Sequence, residues 1–325
     1  MLLWLLLKRS APLRWHTLCR QGGGLVLLLC SAMAVSAFTL KVEPLGATIY
    51  ALLGEVGPRN AANHGLNNTL GFVVTAEGVV LIGSGTTATA AALIEQKIAE
   101  VSDRPIIRVI NIGVQDHHWM GNSYFLERQI PVQALQITAT DQRRQQDSQL
   151  GRLEREIGAE AKTITPRHAS ELIAKERASF EIGGVAFELI WPGGGHFHGD
   201  ALLWLPEHKT LFSGDYLFHD RMLGIWPSSK VVNWQRSWQM IEQLQPERIV
   251  PGHGAPGDLA KARRDSGNYL NWLIDGVTLA LEEWREMSET IDSLAEAPEF
   301  AHLQYFDSWH RRNIHQTFMQ LEAAQ

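Results

Sequence analysis

Four short segments of the sequence place histidine or aspartate beside glycine, each after a run of residues typical of a β-strand. The segments are 111–122 (NIGVQDHHWMGN), 195–200 (GHFHGD), 212–215 (FSGD) and 249–254 (IVPGHG). Imidazole and carboxylate groups at strand ends can converge on one edge of a sheet, and glycine lets a cation approach the backbone closely. The four segments together predict a metal site built from histidine and carboxylate ligands.

Both cysteines of the chain, Cys19 and Cys30, lie among its first 37 residues. That stretch has four basic residues and no acidic one, and it continues into the apolar run 24–35 and the small residue Ala37. The pattern is typical of a signal peptide, so we expect cleavage near Ala37 and a periplasmic or secreted protein. An N-terminal membrane anchor is the alternative. The rest of the chain would hold no thiolate, so histidine and carboxylate groups would have to bind the metal.

The composition favours one globular domain that does not bind nucleic acid. The chain has 325 residues, of which 45% are hydrophobic, so it can bury a sizeable core. Its formal charge of −6 excludes a general nucleic-acid binder, because phosphate contacts require a concentrated basic surface. No repeat or linker follows residue 37. We therefore predict a single domain over residues 38–325 with a C-terminal helical extension.

Short β-rich runs alternate with stretches of helical periodicity. The predicted strands are 38–42, 69–74, 79–82, 106–110, 178–182, 185–191, 201–205 and 210–213. The predicted helices are 86–101, 140–158, 233–244, 259–287 and 306–321. Two β-rich halves flanked by helices predict an α/β sandwich, with two sheets covered by helices on their outer faces.

The order and spacing of the four segments resemble the metallo-β-lactamase superfamily over nearly the whole chain after residue 37. The Gly-His-x-x-Gly-Asp, Ser-Gly-Asp and Pro-Gly-His-Gly boxes place ligand-type residues at His196, Asp215 and His253. The flanking segments are most similar to periplasmic zinc hydrolases associated with quinoprotein or sulfur-oxidation systems. The resemblance implies an αββα sandwich of two mixed sheets, a zinc-dependent hydrolytic activity and a small-molecule substrate.

The first metal-binding box of that family, His-x-His-x-Asp-His, is altered in this chain. Aligned on its last histidine, His118, the box has Gly113, Gln115 and His117 where the family has His, His and Asp. Shifting the register by one residue restores neither missing histidine. Gly83 likewise stands where the family has a buttressing aspartate at the end of a strand.

These departures affect the two zinc sites of the family unequally. The first site is formed by the two missing histidines and the residue that matches His196, so we expect that site to be lost. The second site is better preserved, because His118, Asp215 and His253 match family ligands. His117 offers an imidazole there in place of a carboxylate. One Zn²⁺ is therefore expected, with two or none as the alternatives.

The resemblance also implies roles for individual residues. Zinc would lower the pKa of a bound water toward about 7, and the resulting hydroxide would attack a carbonyl or ester carbon. Asp215 and His117 occupy catalytic positions of the family, although His117 replaces the aspartate that orients the nucleophile. Trp119, which follows the last histidine of the first box, and His219 are candidates for substrate binding. Trp226 could also line an apolar pocket.

The expected function is an exported metallo-hydrolase that cleaves an ester, thioester, amide or sulfur-containing substrate. One alternative is a catalytically inactive protein of the same fold that binds a ligand or partner in the cleft where the family has its active site. Another is an accessory protein of a periplasmic redox system. Stoichiometric zinc with turnover would favour the first hypothesis, and a folded protein that takes up no zinc would favour the second.

Overall fold

The computed structural model describes residues 38–324. The predicted leader and both cysteines lie outside these residues. Among the described helices, none combines the length and the apolar character needed to cross a membrane.

Within residues 38–324, a first sheet contains seven strands in the order β1-β2-β3-β4-β5-β6-β7. Neighbours from β1 to β4 are antiparallel, and neighbours from β4 to β7 are parallel. The strands are β1 (Lys41–Pro44), β2 (Ile49–Leu53), β3 (Thr69–Val74), β4 (Val79–Ile82), β5 (Ile106–Asn111), β6 (Val132–Leu135) and β7 (Glu171–Ile173).

The second described sheet has five strands in the order β12-β11-β10-β9-β8. Its strands are β8 (Arg177–Ile182), β9 (Val185–Ile190), β10 (Leu202–Leu205), β11 (Thr210–Phe218) and β12 (Arg248–His253). Only the β11–β12 pair of this sheet is parallel, and its register shifts between Gly214 and Phe218. The two strands that carry Asp215 and His253 therefore run side by side in the same direction.

Eight α-helices occur in the described part of the chain. They are α1 (Ala88–Ala99), α2 (Asn122–Glu127), α3 (Gln136–Ile157), α4 (Val231–Leu244), α5 (Leu259–Ala262), α6 (Asn268–Glu282), α7 (Met287–Ser293) and α8 (Phe306–Glu322). A π-helical segment, Arg263–Gly267, joins α5 to α6.

Alternate residues of the central strands fill two different layers of the core. Val80 of β4 packs in one cluster with Phe187 of the second sheet, whereas its neighbour Leu81 packs in another with Ile94 of α1. Successive side chains of a strand point to opposite faces, so β4 is buried on both sides. This double burial is the reason that β4 is a continuous apolar run in the sequence.

Helices cover the outer face of each sheet. Helices α1 and α2 contribute Ile94 and Phe125 to the cluster on the first sheet. Helices α4, α6 and α8 pack on the second sheet through side chains that include Trp234, Leu273 and Ile314. The predicted α/β sandwich of two mixed sheets with outer helices is thereby confirmed.

The elements depart from prediction in several places. Four strands were not predicted: Ile49–Leu53, Val132–Leu135, Glu171–Ile173 and Arg248–His253. The helix predicted over 259–287 is instead broken, because the chain passes through the π-helical segment and α6 ends at Glu282. Just beyond that end, Trp284 takes a positive φ of 57°, which a continuing α-helix does not allow.

Candidate metal centre

Five of the sequence-predicted site residues meet where the ends of both sheets adjoin. Asp215 lies within β11, and His253 ends the neighbouring strand β12. His117 and His118 belong to the 3₁₀ turn Asp116–His118 that follows β5. His196 lies in the loop between β9 and β10. All five side chains are buried.

The carboxylate of Asp215 is the centre of this group. Its Oδ1 lies 3.2 Å from His118 Nε2 and its Oδ2 lies 3.3 Å from His117 Nε2. His253 Nε2 and His196 Nδ1 each lie 3.5 Å from one of the two oxygens. Tetrahedral ligands at about 2.0–2.1 Å from zinc lie roughly 3.3 Å from one another. The spacing therefore suits ligands that share one ion.

Three of these residues form a compact set of donors. One ligand atom each from His117, His118 and Asp215 lies within 4.8 Å of the other two. His118 Nδ1 and Nε2, His117 Nδ1 and Asp215 Oδ1 have no hydrogen-bond partner among the described residues. A buried polar atom without a partner is costly. A cation that accepts a lone pair from one nitrogen of each ring and from Asp215 Oδ1 would remove part of this cost, so the donor set fits a metal ion.

The hydrogen bonding of His253 orients its ring for ligation. Its Nδ1 lies 2.7 Å from the carbonyl oxygen of Asn67. A carbonyl accepts, so Nδ1 must carry the hydrogen, and Nε2 keeps a lone pair on the side of Asp215. Such a bond to the second ring nitrogen commonly fixes the tautomer of a metal-ligating histidine.

The protonation of the group is governed by burial and by Asp215. Burial alone would raise the pKa of Asp215, but the nearby imidazoles of His118, His117 and His196 outweigh it and hold the pKa well below its usual range. Burial lowers the pKa of His117 to about 4. Burial and then the charge of Arg221 hold the pKa of His253 well below its usual value. Burial would lower the pKa of His118, but the attraction of Asp215 together with that of Asp200 and Asp116 raises it overall.

Glycine at position 252 is required by the carboxylate beside it. A Cβ atom on Gly252 would lie 2.1 Å from Asp215 Oδ1. This close approach explains why glycine occupies position 252 of the Pro-Gly-His-Gly segment.

The residues found here cannot form the first metal site of the family that the sequence resembles. A Cβ atom on Gly113 would lie 2.2 Å from Cδ2 of His118, so the His118 ring occupies the space that a side chain at position 113 would need. The Nε2 atom of His196 accepts a hydrogen bond of 3.1 Å from the indole nitrogen of Trp226. With that lone pair engaged, His196 turns Nδ1 towards Asp215 and Asp200.

Gln115, which stands in place of a family histidine, contacts Asp215 through its amide. In the orientation that satisfies both partners, its nitrogen donates to Asp215 Oδ2 at 3.2 Å and its oxygen accepts from Arg152 at 2.8 Å. The adjacent Asp116 is turned away into ion pairs with Arg59 and Arg152. Burial would raise the pKa of Asp116, but these two arginines lower it overall.

A cavity of about 220 Å³ adjoins the cluster. Gln115, His196 and His253 contribute to its lining, and each also contacts Asp215. His117 and His118 are not among the lining residues, so a small molecule in the cavity would meet the cluster on the side of the other three. Trp226 also lines the cavity, as the sequence suggested it could.

Two predicted substrate-binding residues lie elsewhere. Trp119 is fully buried in a cluster with Leu153 and Ile157 of α3, and its indole nitrogen donates to the carbonyl of Val114. His219 is buried, with Nδ1 2.8 Å from the carbonyl oxygen of Ala255, and burial lowers its pKa to about 4. Neither is among the residues that line this cavity, so their predicted role in substrate binding stays a prediction.

Several cavity residues were not predicted from the sequence. They are the arginines and aromatic residues Arg59, Arg152, Arg221, Phe218, Tyr305 and Trp309. Arg221 follows the Ser-Gly-Asp box by six residues, which is the one local signal that could have indicated it. The others lie in segments without a recognisable motif.

Comparison with known proteins supports the resemblance. A family model described as the Metallo-beta-lactamase superfamily matches residues 65–253, which is more than half of the chain. A 2,4-dinitroanisole O-demethylase subunit alpha from Nocardioides sp. (strain JS1661) is 32% identical over 24% of this chain and 24% of its own length. An acyl-coenzyme A thioesterase, MBLAC2 from Gallus gallus, is 32% identical over 24% of this chain and 29% of its own. The chain thus spans less than a third of the length of either relative.

A solved structure is similar over a longer stretch. The metallo-beta-lactamase from Pontibacter korlensis superposes with a TM-score of 0.55 at 21% identity, covering 69% of this chain and 95% of that one. At this identity the similarity concerns the fold, and it confirms the predicted architecture of two mixed sheets between layers of helices.

Proposed function

The chain belongs to the metallo-β-lactamase superfamily, and from this we propose that it is a hydrolase that uses one metal ion, held by His117, His118, Asp215 and His253. The observation that carries the proposal is the buried cluster around Asp215. Both ring nitrogens of His118 lack a hydrogen-bond partner in the described region, and its Nε2 lies 3.2 Å from Asp215. Zn²⁺ is the ion we propose, because imidazole and carboxylate are ligands that zinc accepts.

Each residue of the cluster would have a separate role in hydrolysis. Zn²⁺ bound there would act as a Lewis acid and lower the pKa of a water that attacks the substrate carbonyl. Asp215 brings the negative charge to the ligand set, and His253 offers Nε2 because its Nδ1 donates to Asn67. Gln115 holds one oxygen of Asp215 in place through its amide.

An ester or thioester is the bond that we propose is cleaved. The acyl-coenzyme A thioesterase among the relatives supports this choice by its similarity. The cavity is small enough to favour a compact substrate or one end of a larger one.

The proposal is tested with purified protein loaded with one equivalent of zinc. Hydrolysis of p-nitrophenyl acetate and of S-phenyl thioacetate is followed for the parent protein, His118→Gln and His310→Gln. His310 is a matched control, because it is also buried but bonds to Tyr269 and Leu294 far along the chain. We expect His118→Gln to lower kcat/KM at least 100-fold and His310→Gln to change it less than threefold. Turnover at the zinc-free rate, or unaffected turnover in His118→Gln, would refute the proposal.

A catalytically silent binding protein is the second candidate. Two observations favour it: the Trp226 indole occupies the Nε2 lone pair of His196, and the His118 ring fills the space beside Gly113. This candidate requires a folded protein that takes up no zinc even when incubated with excess metal. Mass-spectrometric metal analysis therefore separates the two functions before any substrate is known.

We further propose that the chain is exported and acts in the periplasm or outside the cell, in contact with redox enzymes of that compartment. Support for export comes from the basic, acid-free residues before the apolar run 24–35 and from Ala37. The redox partnership is proposed from the similarity of the flanking segments to periplasmic zinc hydrolases associated with quinoprotein or sulfur-oxidation systems. Cell fractionation and N-terminal sequencing of the isolated protein test export, with a new N-terminus near residue 38 expected. Co-purification with a redox enzyme tests the partnership.

A further inference from the structure

One aromatic side chain of the described structure projects into solvent. Trp284 is 91% exposed, more than any other large apolar side chain of residues 38–324. A single exposed leucine is ordinary on a protein surface, whereas tryptophan is highly buried on average. The indole of Trp284 therefore adds almost nothing to the burial that stabilises this fold.

The backbone conformation of Trp284 is also unfavourable for a bulky residue. At the end of α6, its N–H donates to the carbonyl of Leu281, and the N–H of Arg285 donates to the carbonyl of Ala280. These two bonds form a Schellman motif, whose left-handed position is usually glycine. A bulky side chain with a positive φ, here 57°, is an outlier. Exposure and backbone conformation thus both disfavour tryptophan within its own chain, which indicates that its indole is used in a contact outside that chain.

A second apolar surface lies between the first turn of α4 and the last turn of α8. It is a groove of about 540 Å³, which we call the α4–α8 groove. Val232 and Met319, two further exposed large apolar residues, both line it, together with Pro227 and Ala323. None of its lining residues also lines the cavity beside the metal cluster. The groove is therefore separate from the proposed hydrolytic site.

The two surfaces carry opposite charges. Three exposed glutamates flank Trp284 in the sequence: Glu282, Glu283 and Glu286. The one basic residue among them, Arg285, pairs with Glu283 at 2.5 Å. The α4–α8 groove is lined by Lys230 and His315 and by no acidic residue. Arg312, which is exposed, precedes the lining residue Gln316 by one turn of α8. The apolar side chain with an acidic surround thus complements the apolar groove with a basic edge.

We propose that Trp284 of one copy of this chain inserts into the α4–α8 groove of a second copy, with the glutamates of the first facing Lys230 and Arg312 of the second. In a two-fold symmetric dimer each copy supplies both surfaces, so the same contact forms twice. An indole buries about 150–250 Å², so two insertions and the groove walls that they cover bury roughly 600–1,000 Å². That area is typical of a weak interface. We expect a dissociation constant of about 10–100 μM and weaker association at high salt.

Self-association is measured by sedimentation equilibrium of the purified protein between about 1 and 300 μM, a range that brackets the expected dissociation constant. We expect the average mass to rise from that of one chain towards that of two. A mass of one chain at every concentration would overturn the proposal, and the two surfaces would then have other partners. The measurement requires neither metal nor turnover, so its outcome is independent of the proposed hydrolase function.

Two variants remove one surface each. Trp284→Gly and Met319→Glu are both expected to remain monomeric over this concentration range. Leu172→Glu is the matched control for the second variant, because Leu172 is also 45% exposed but lies on β7 of the first sheet. We expect this control to change the dissociation constant less than twofold. An equal loss of association in the control would mean that any added negative charge prevents it, and would refute the assignment to the groove.

Thermal unfolding of dilute, monomeric protein checks that Trp284 has no role in its own fold. Glycine adopts a positive φ readily. Trp284→Gly is therefore expected to unfold at the same temperature as the parent protein or at a higher one. A lower midpoint would show that the indole stabilises its own chain, and would contradict its assignment to an intermolecular contact.

Mixing the two variants tests whether Trp284 meets the groove rather than a second Trp284. Met319→Glu keeps its tryptophan and Trp284→Gly keeps its groove, so the mixture can form one of the two contacts although neither variant can form one with itself. Fluorescence anisotropy of labelled Met319→Glu is followed while Trp284→Gly is added. We expect binding at least tenfold tighter than the self-association of either variant. A mixture that binds no better than its components would overturn the pairing, even if the parent protein dimerises.

Discussion

Replacing Asp215 by asparagine is expected to abolish tight zinc binding while the fold is retained. Asparagine has the same shape and keeps one oxygen, but it removes the negative charge to which four imidazole nitrogens lie within 3.5 Å. The substitution therefore tests the charge of the ligand set rather than the packing around it.

The expected loss of zinc affinity depends on whether another carboxylate near the cluster could replace Asp215. Asp116 is held by two arginines, and Asp200 accepts from the backbone N–H groups of Val114 and Phe197 at 2.8 and 2.7 Å. Neither carboxylate is free to replace Asp215. Loss of a residue that only supports a ligand typically weakens metal binding by about 10–100-fold. Loss of the ligand charge itself should reach at least about 100-fold, or about 2.8 kcal/mol.

Zinc affinity is measured by competition with a chromogenic chelator, and zinc per chain by mass spectrometry. Asp265→Asn is the control, because Asp265 is equally buried but pairs with Arg264 and His302 instead of the cluster. We expect its zinc Kd to stay within threefold of the parent value. The reasoning would be refuted if Asp215→Asn bound zinc within tenfold of the parent protein, or if both variants lost zinc equally.

Three further predictions concern glycine and carboxylate positions. Gly252→Ala should weaken zinc binding at least tenfold in the same assay, because the new Cβ displaces Asp215. It should also lower the free energy of unfolding in urea by about 1–3 kcal/mol. Gly151→Ala in α3 should raise that free energy by about 0.5–1 kcal/mol, since its Cβ meets open space; a decrease would contradict this. Burial would raise the pKa of Asp265, but hydrogen bonds led by Arg264 lower it. Its contribution to stability is therefore present above the unfolded pKa of about 3.9 and is lost as the pH falls through the lower folded value. In urea titrations between about pH 2 and 5, Asp265→Asn should remove the part of the acid-induced loss of stability that Asp265 causes. An unchanged loss of stability in this pH range would contradict the assignment.

The central strands could be predicted because their burial produces a local run of apolar residues in the sequence. Thr69–Val74 and Val79–Ile82 are apolar on both faces and end at turn residues, so the predicted and observed bounds coincide. Val132–Leu135 was missed because four residues that continue directly into α3 give no alternation to detect. The break before α7 was missed because the residues near Trp284 contain neither glycine nor proline.

For the candidate site, the sequence by itself determined which ligand-type residues exist and which family positions are altered. His196, Asp215 and His253 stand beside glycines in motifs short enough to be visible in the chain, and the substitutions Gly113 and Gln115 are equally visible. Their ligand roles stay predictions.

Only the tertiary structure decided what each residue can do, because the deciding contacts join positions far apart in the chain. Trp226 reaches across thirty residues to occupy the Nε2 atom of His196. Tyr305 and Trp309 pack against the buried guanidinium of Arg221 from a segment far along the chain. Local pattern encodes the burial of a strand, since that depends on its own side chains. It does not encode which distant side chain meets a ligand atom, since that depends on how the two sheets and the outer helices close around the same edge.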